Sequence, residues 1–352
     1  MDVLDTLVIG AGQAGLSTSY HLTRREIRHV VLDADTRPGG AWQHRWRSLT
    51  MRDVHGIADL PDAPRPPATA DDRANTFVPR YFAEYERRRD LPVERPVRVD
   101  RVVDDHGLLR VEAGDRTWLT RTLVNATGTW SRPFVPYYPG IERFAGEQFH
   151  TVDYPGPEAL AERRVVVVGG GASAVQFLGE LAPVAETTWV TRRPPVWRTD
   201  EFTPEVGRSA VSLVESRVRR GLPPGSVVSV TGLKLRPQEA EAERLGAYQR
   251  RPMFDRIEPD GVRWTTSGDH FEAADVIIWA TGFRPAVEHL APLHLRSDFG
   301  GIQLDGTTAV ADPRVQLVGY GPSASTIGAN RAGRVAARSV SHWLAKEASL
   351  AS

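Results

Sequence analysis

Two glycine turns, each set between an apolar strand-like run and a helix-like run, constrain this chain more than any other feature. The first is Leu7-Val8-Ile9-Gly10-Ala11-Gly12-Gln13-Ala14-Gly15, a G-x-G-x-x-G pattern in the setting that gives it meaning. Gly10 permits the tight turn, Gly12 lets the backbone approach a pyrophosphate, and Gly15 lets the helix pack closely on the strand. The amides at the start of the helix, those of Gln13 and Ala14 among them, together with the helix dipole favour an anion there. The helix is expected to run to Arg24, and His29 to Leu32 reads as the next strand, ending at Asp33 and Ala34. A carboxylate at this spacing accepts hydrogen bonds from an adenosine ribose. A plain surface aspartate in a turn is the alternative.

The second pattern is Arg164-Val165-Val166-Val167-Val168 leading into Gly169-Gly170-Gly171-Ala172-Ser173-Ala174, or G-x-G-x-x-A. Gly169, Gly171 and Ala174 take the three glycine roles, with Ser173 at the helix start. A helix is expected from about Val175 to Leu181, and the strand after it, Thr187 to Thr191, ends at Arg192-Arg193 rather than at an acid. A carboxylate there would favour NADH, whereas arginine accepts the extra 2′-phosphate of NADPH in a bidentate fashion. A solvated charge pair at a strand end is the competing reading. Two fingerprints in one chain point to a flavin nucleotide and a nicotinamide nucleotide, because hydride transfer requires both rings to meet. The predicted fold class is α/β, with two Rossmann-like dinucleotide-binding domains and the NADPH domain inserted in the FAD domain.

Composition narrows the chemistry. At 352 residues the chain has room for two ordinary domains. Lys plus Arg and Asp plus Glu both number 44, so no net field attracts nucleic acid or an anionic membrane. Lys234 and Lys346 are the only lysines, which leaves arginine as the cation for phosphate and makes lysine catalysis an unpromising reading. Cysteine is absent, so this chain carries no thiolate metal site and no redox-active Cys-x-x-Cys pair. Met1 leads straight into an apolar run without a basic flank, and no apolar run approaches the roughly 18 residues of a membrane helix. A cytoplasmic protein is expected, with no membrane and no nucleic-acid partner.

Further motifs carry a family resemblance. Gly39-Gly40-Ala41-Trp42 follows the first acid, and Val124-Asn125-Ala126-Thr127-Gly128 and Ile278-Trp279-Ala280-Thr281-Gly282 are both strands running into Ala-Thr-Gly. Between the two fingerprints stands Phe144-Ala145-Gly146-Glu147-Gln148-Phe149-His150-Thr151-Val152-Asp153-Tyr154-Pro155. Together these resemble the class B flavin-dependent monooxygenases, the flavin-containing monooxygenase-like proteins with N-hydroxylating, S-oxidising and Baeyer–Villiger branches. The resemblance implies FAD at the first fingerprint and NADPH at the second. It makes the two Ala-Thr-Gly segments the crossings between domains and gives His150 the task of coupling nicotinamide binding to domain position. A packed linker histidine is the alternative for His150.

By the same resemblance Gly40, Ala41 and Trp42, then Trp46, Ser48 and Leu49, would border the isoalloxazine, and Val99 would touch the adenine. The helix opening around Ser325, Thr326 and Ile327 would direct its amides at the flavin, with ordinary capping as the other reading. A helix is also expected from Phe77 to Arg89 and a strand from Val93 to Val103. The expected division is an FAD domain of 1–155 plus 285–352 and an NADPH domain of 156–284, with an insertion at about 202–260 as a lid or substrate-side element. The implied reaction is oxygenation of a small organic substrate by O2 through a C4a-hydroperoxyflavin, at nitrogen, sulfur or a carbonyl, while a homodimer is left open. One departure stands out: where many flavin-containing monooxygenases have an asparagine near the flavin, this chain has Arg52, Asp53 and His55. That keeps open an NADPH oxidase or reductase without oxygen insertion, and a redox-sensing flavoprotein.

Overall fold

The computed structural model describes residues 2–54, 56–198, 204–225, 233–234, 237–266 and 268–351. Two large parallel-centred sheets organise it, beside a small three-stranded antiparallel sheet and a two-stranded pair. In the first, β1 (Val3–Ile9) lies between β2 (His29–Leu32) and β6 (Arg116–Asn125), parallel to both. Beyond β2 comes β3 (Val93–Glu94), and beyond β6 the strand Val315–Leu317, again parallel. A strand flanked on both edges and covered on both faces is apolar where it is buried, which is why β1 ends in the buried run Leu7-Val8-Ile9. β4 (Arg101–Asp105) and β5 (Leu108–Ala113) form an antiparallel flap that reaches the sheet through β6.

The second sheet repeats this core with different residues. β8 (Arg164–Val168) lies between β9 (Glu186–Val190) and the strand Val276–Trp279, all parallel, and β7 (Glu147–His150) forms one edge. The correspondence extends to single hydrogen bonds. Gly10 N donates to Leu32 O at 2.7 Å and Gly169 N to Val190 O at 2.9 Å, while Ala126 N donates to Ile9 O and Ala280 N to Val168 O, both at 2.8 Å. Helix α1 (Gln13–Thr23) follows the first turn, α2 (Ala74–Arg88) covers the first domain, and α3 (Ala172–Leu181) follows the second turn. The C-terminal helix, Thr326–Ala351, packs along α1.

Several expectations are corrected here. The expected first domain, 1–155, includes β7, yet that strand pairs in register with Val276–Trp279 and so belongs to the second sheet; parallel pairing between distant segments leaves no local sign. The strand expected over Val93 to Val103 is two strands, β3 and β4, because Val97 N turns back to bond Asp33 O at 2.7 Å. Helix α2 starts at Ala74, three residues before the expected start. The stretch 202–260 does not behave as one appended element, and part of it lies outside the described residues. Helix α4 (Pro204–Arg219) buries Val218 in the core of the first domain beside Leu317 and Tyr320. Arg250–Arg251 instead extends the second sheet at β9, and Phe254 and Ile257 fill that domain's core.

Candidate active site

Both glycine turns leave open space at one glycine and exclude a side chain at the glycine that opens the turn. A Cβ on Gly10 would lie 2.7 Å from Ala126 O, and one on Gly15 only 1.9 Å from Gly10 O, whereas one on Gly12 meets nothing within 4 Å. The second turn behaves alike: a Cβ on Gly169 would lie 2.2 Å from Ala280 O, and one on Gly171 meets nothing. Gly12 and Gly171 are the N-caps of α1 and α3, and neither helix has a side-chain cap. Their first amides are therefore left for an outside acceptor, as an anion site requires. Ala14 and Ala174 are buried in the packing of these helices, and Ser173 lies in the first turn of α3.

Asp33 is no surface residue. It is 6% exposed and accepts from Ala11 N at 2.5 Å and Asp35 N at 2.9 Å, with Arg95 Nε at 3.6 Å. Arg95 in turn holds Glu86 through two contacts of 2.7 Å. The ribose-binding candidate is thus oriented by a buried arginine that sequence reading passed over; its one sign was an arginine next to Pro96. Ala34 is exposed beside it, and Val99 packs partly buried against the core under β2.

Gly39 and Gly40 have positive φ, and Cβ atoms there would lie 2.8 Å from Pro79 Cβ and from Gly12 Cα respectively. The loop carrying Ala41 and Trp42 therefore lies directly on the first glycine turn. Trp46 and Ser48, on the same loop, are tied to the second domain, Trp46 Nε1 donating to Glu180 Oε1 at 3.1 Å and Ser48 Oγ to Glu180 Oε2 at 2.6 Å. Trp46 and Leu49 are buried among Phe177, Leu178 and Tyr154. The reason is Glu180 itself, a carboxylate on the packed face of α3 that must find donors. Burial raises its pKa and the two hydrogen bonds only partly oppose that. The Tyr154 hydroxyl is buried beside this carboxylate, and burial first, then the Glu180 charge, pushes its pKa up.

The two Ala-Thr-Gly segments interlock. Ala286 N donates to Gly128 O and Phe134 N to Gly282 O, both at 3.0 Å; Thr127 Oγ1 donates to Ala286 O at 2.6 Å, and Thr281 Oγ1 to Phe134 O. Trp130 stacks on Phe283 at 5.0 Å, and Phe283 meets the His150 ring edge-on at 5.0 Å. His150 Nε2 lies 3.0 Å from Gly282 O, so this nitrogen carries the proton and donates it, while Nδ1 is buried without a partner. Burial lowers the pKa of the ring, which fits a neutral tether between the linker and the second crossing. A cavity of about 490 Å³ opens beside it, lined by Pro133, Phe149, His150 and Asp153 among others.

Gln13 closes the other end, its Nε2 donating to Ala58 O at 2.9 Å and Thr326 O at 3.2 Å. This draws the start of the C-terminal helix, with Thr326 and Ile327 in its first turn, to the N-terminus of α1. Ser325 caps that helix, Oγ accepting from Gly328 N at 3.1 Å. Arg192 and Arg193 are exposed at the end of β9, and Arg250, unnoticed in the sequence, arrives at the same strand end by donating to Thr191 Oγ1 at 2.6 Å. His55 lies outside the described residues.

Two glycine-turn domains, each with an open helix N-terminus, crossing at paired Ala-Thr-Gly segments define a two-dinucleotide oxidoreductase. The family model described as pyridine nucleotide-disulphide oxidoreductase matches residues 7–223. A flavin-containing monooxygenase from Stenotrophomonas maltophilia is 38% identical, with a TM-score of 0.84 over 98% of this chain and 100% of that one. A Baeyer-Villiger monooxygenase from Streptomyces coelicolor is 26% identical over 89% of this chain and 63% of its own length. An uncharacterized CzcO-like oxidoreductase from Geobacillus kaustophilus is 29% identical over 51% of this chain and 52% of its own. The chain spans about half to three fifths of the length of the first curated relatives it matches, 52% to 61%. The chain belongs to the pyridine nucleotide-disulphide oxidoreductase family, in its class B flavin monooxygenase branch. It contains no cysteine, so the disulphide chemistry in that description has no residue of this chain to act on.

Proposed function

We propose that this protein is an NADPH-dependent, FAD-containing monooxygenase that uses O2 to oxygenate a small organic substrate. The interlocked crossing carries the reading: residues 126–134 and 280–286 are stitched together by hydrogen bonds and by the Trp130–Phe283 stack, beside two separate nucleotide turns. Such an arrangement serves a hydride donor and acceptor that must meet. The residues fit both groups, because Gly12 and Gly171 face open space at uncapped helix N-termini while Gly10, Gly15 and Gly169 leave no room for a side chain. The domains of the proposal are 1–155 plus 285–352 for FAD and 156–284 for NADPH, with the edge strand 147–150 reassigned to the latter. Cytoplasmic location and pairing into a homodimer belong to the proposal too, to be read by fractionation and by mass in solution.

A bound flavin would supply the redox and oxygen chemistry, with the reduced nicotinamide as its hydride source. The protein's own residues bind and orient. The amides at Gly12 to Ala14 and at Gly171 to Ser173 receive the two pyrophosphates, and Asp33 the adenosine ribose. Arg192 and Arg193, with Arg250 beside them, receive the 2′-phosphate. His150 acts as a positioning residue, since its Nε2 proton is held by Gly282 O and burial keeps the ring neutral. The amides around Thr326 would stabilise negative charge on a bound flavin. The test is to reduce the flavin with NADPH, mix with oxygen and follow the flavin spectrum. A long-lived species distinct from oxidised and reduced flavin is expected, whereas prompt reoxidation with stoichiometric peroxide would overturn the reading.

A further inference from the structure

Arg45 is an arginine without an anion. Other enclosed arginines of this chain are paired: Arg95 holds Glu86 and lies near Asp33, and Arg314 holds Asp312 and Asp104. The Arg45 guanidinium forms no hydrogen bond or ion pair among the described residues, and its Nε is shut off from solvent with no partner. It is held by aromatic faces instead, 4.4 Å from the Trp130 ring and 5.4 Å from Trp42. Burial lowers its pKa to about 10, which leaves it charged at neutral pH.

Its position is informative. Trp42 belongs to the loop whose Gly40 lies against Gly12 of the first nucleotide turn. Trp130 follows the first crossing and stacks on Phe283, which follows the second and touches His150. The unpaired cation therefore sits where the two domains cross, at one end of an aromatic row leading to His150. A desolvated guanidinium is costly unless an anion completes it, and indole faces compensate only in part. Contact with indole rings satisfies none of the guanidinium's N–H groups, and these are the groups that bind carboxylate or phosphate side-on.

We propose that Arg45 is the receptor of an oxyanion, a carboxylate or phosphate oxygen pair, that is brought to the domain crossing by a ligand and held edge-on against the Trp42–Trp130 cradle. Three sources supply that chemistry: the pyrophosphate of FAD, the phosphates of the nicotinamide nucleotide, or a carboxylate on the substrate. The inference rests on the proposed function only in treating this crossing as the place where the cofactors meet.

The experiment compares full-length wild type, Arg45→Met and Arg45→Lys in binding FAD, NADP⁺ and 3-phenylpropionate, with 3-phenylpropionamide as the uncharged control. Tryptophan fluorescence is the readout, since Trp42 and Trp130 flank the site, and melting of the ligand-free protein is recorded in parallel. The methionine variant is expected to lose about tenfold or more in affinity for at least one of the three anions, with lysine recovering part of it and the amide unaffected. The ligand-free methionine variant should melt no lower than wild type, because an uncompensated charge has been removed. A loss for FAD, NADP⁺ or phenylpropionate identifies the source. Affinities unchanged for all three, or a lower melting point accompanied by equal losses for all, would make Arg45 a structural cation and end the inference. These readouts involve no turnover, so failure of the oxygenase reading and failure of this one are told apart.

Discussion

Replacing Glu180 tests how the second domain is fastened to the loop behind the first glycine turn. Its two oxygens accept from Trp46 and Ser48, side chains of the first domain's loop, while its own helix begins at the second glycine turn. Glu180→Ala leaves both donors without an acceptor in a packed interface. At about 1–3 kcal/mol for each buried donor left unpaired, and with water reaching Ser48, the loss should be about 3 kcal/mol. For a chain this long that is a lowering of the melting temperature by about 5 °C. Glu180→Gln keeps the shape and one acceptor and should cost only about 1 kcal/mol near the acid end. The pH dependence then separates charge from shape. Burial holds the Glu180 carboxyl above its ordinary value of 4.5. Such a group contributes stability that is fully present below the ordinary value and is lost as pH rises through the raised one. The melting-temperature difference between Glu180→Gln and wild type should therefore move in favour of glutamine as pH is raised from 4.5 towards 8, followed by scanning fluorimetry. A difference that is flat with pH, or that moves towards wild type, would refute a charge buried at this interface.

Four further outcomes are expected. Tyr154→Phe removes a buried hydroxyl whose acceptor is Glu180, outside ideal hydrogen-bond geometry, so stability should fall by less than about 1 kcal/mol; a larger loss by denaturant unfolding would show a full-strength bond to that carboxylate. Gly12→Ala should fold normally yet bind FAD weakly, because its Cβ enters open space, whereas Gly15→Ala should fail to give folded protein because its Cβ would lie 1.9 Å from Gly10 O; circular dichroism and flavin absorbance distinguish the two. Arg192→Ala with Arg193→Ala should raise KM for NADPH by about tenfold or more and leave NADH unchanged, and an unaltered NADPH-to-NADH preference would remove both from the phosphate site. Burial lowers the pKa of His29, His150 and His289, the last to about 4. Stability from these neutral rings is present above the ordinary value of 6.5 and lost as pH falls through the lowered values, so unfolding free energy should decline from pH 6.5 towards 4, and His289→Gln should lessen the decline.

Much of the site was legible because glycine turns are local. The spacing of Gly10, Gly12 and Gly15, and of Gly169, Gly171 and Ala174, encodes sterics within a dozen residues, and the structure has the same exclusions and the same openings. Asp33 was legible too, since its place at a strand end is set by the strand before it. What was not legible were partners far along the chain. Nothing near Trp46 and Ser48 in the sequence signals that a carboxylate 134 and 132 positions later accepts their hydrogen bonds.

The sequence by itself determined two nucleotide turns, their order, the strand-end charges that distinguish them and the family of the linker around His150. All are short patterns whose physics is complete within one strand, turn and helix. Only the tertiary structure decided that β7 joins the second sheet, that α4 packs on the first domain, that Arg95 backs Asp33 and that Glu180 receives the loop after Trp42. It alone left Arg45 without an anion between two indoles. These are questions of which buried polar group finds which partner, and they are settled only when distant segments share one desolvated space.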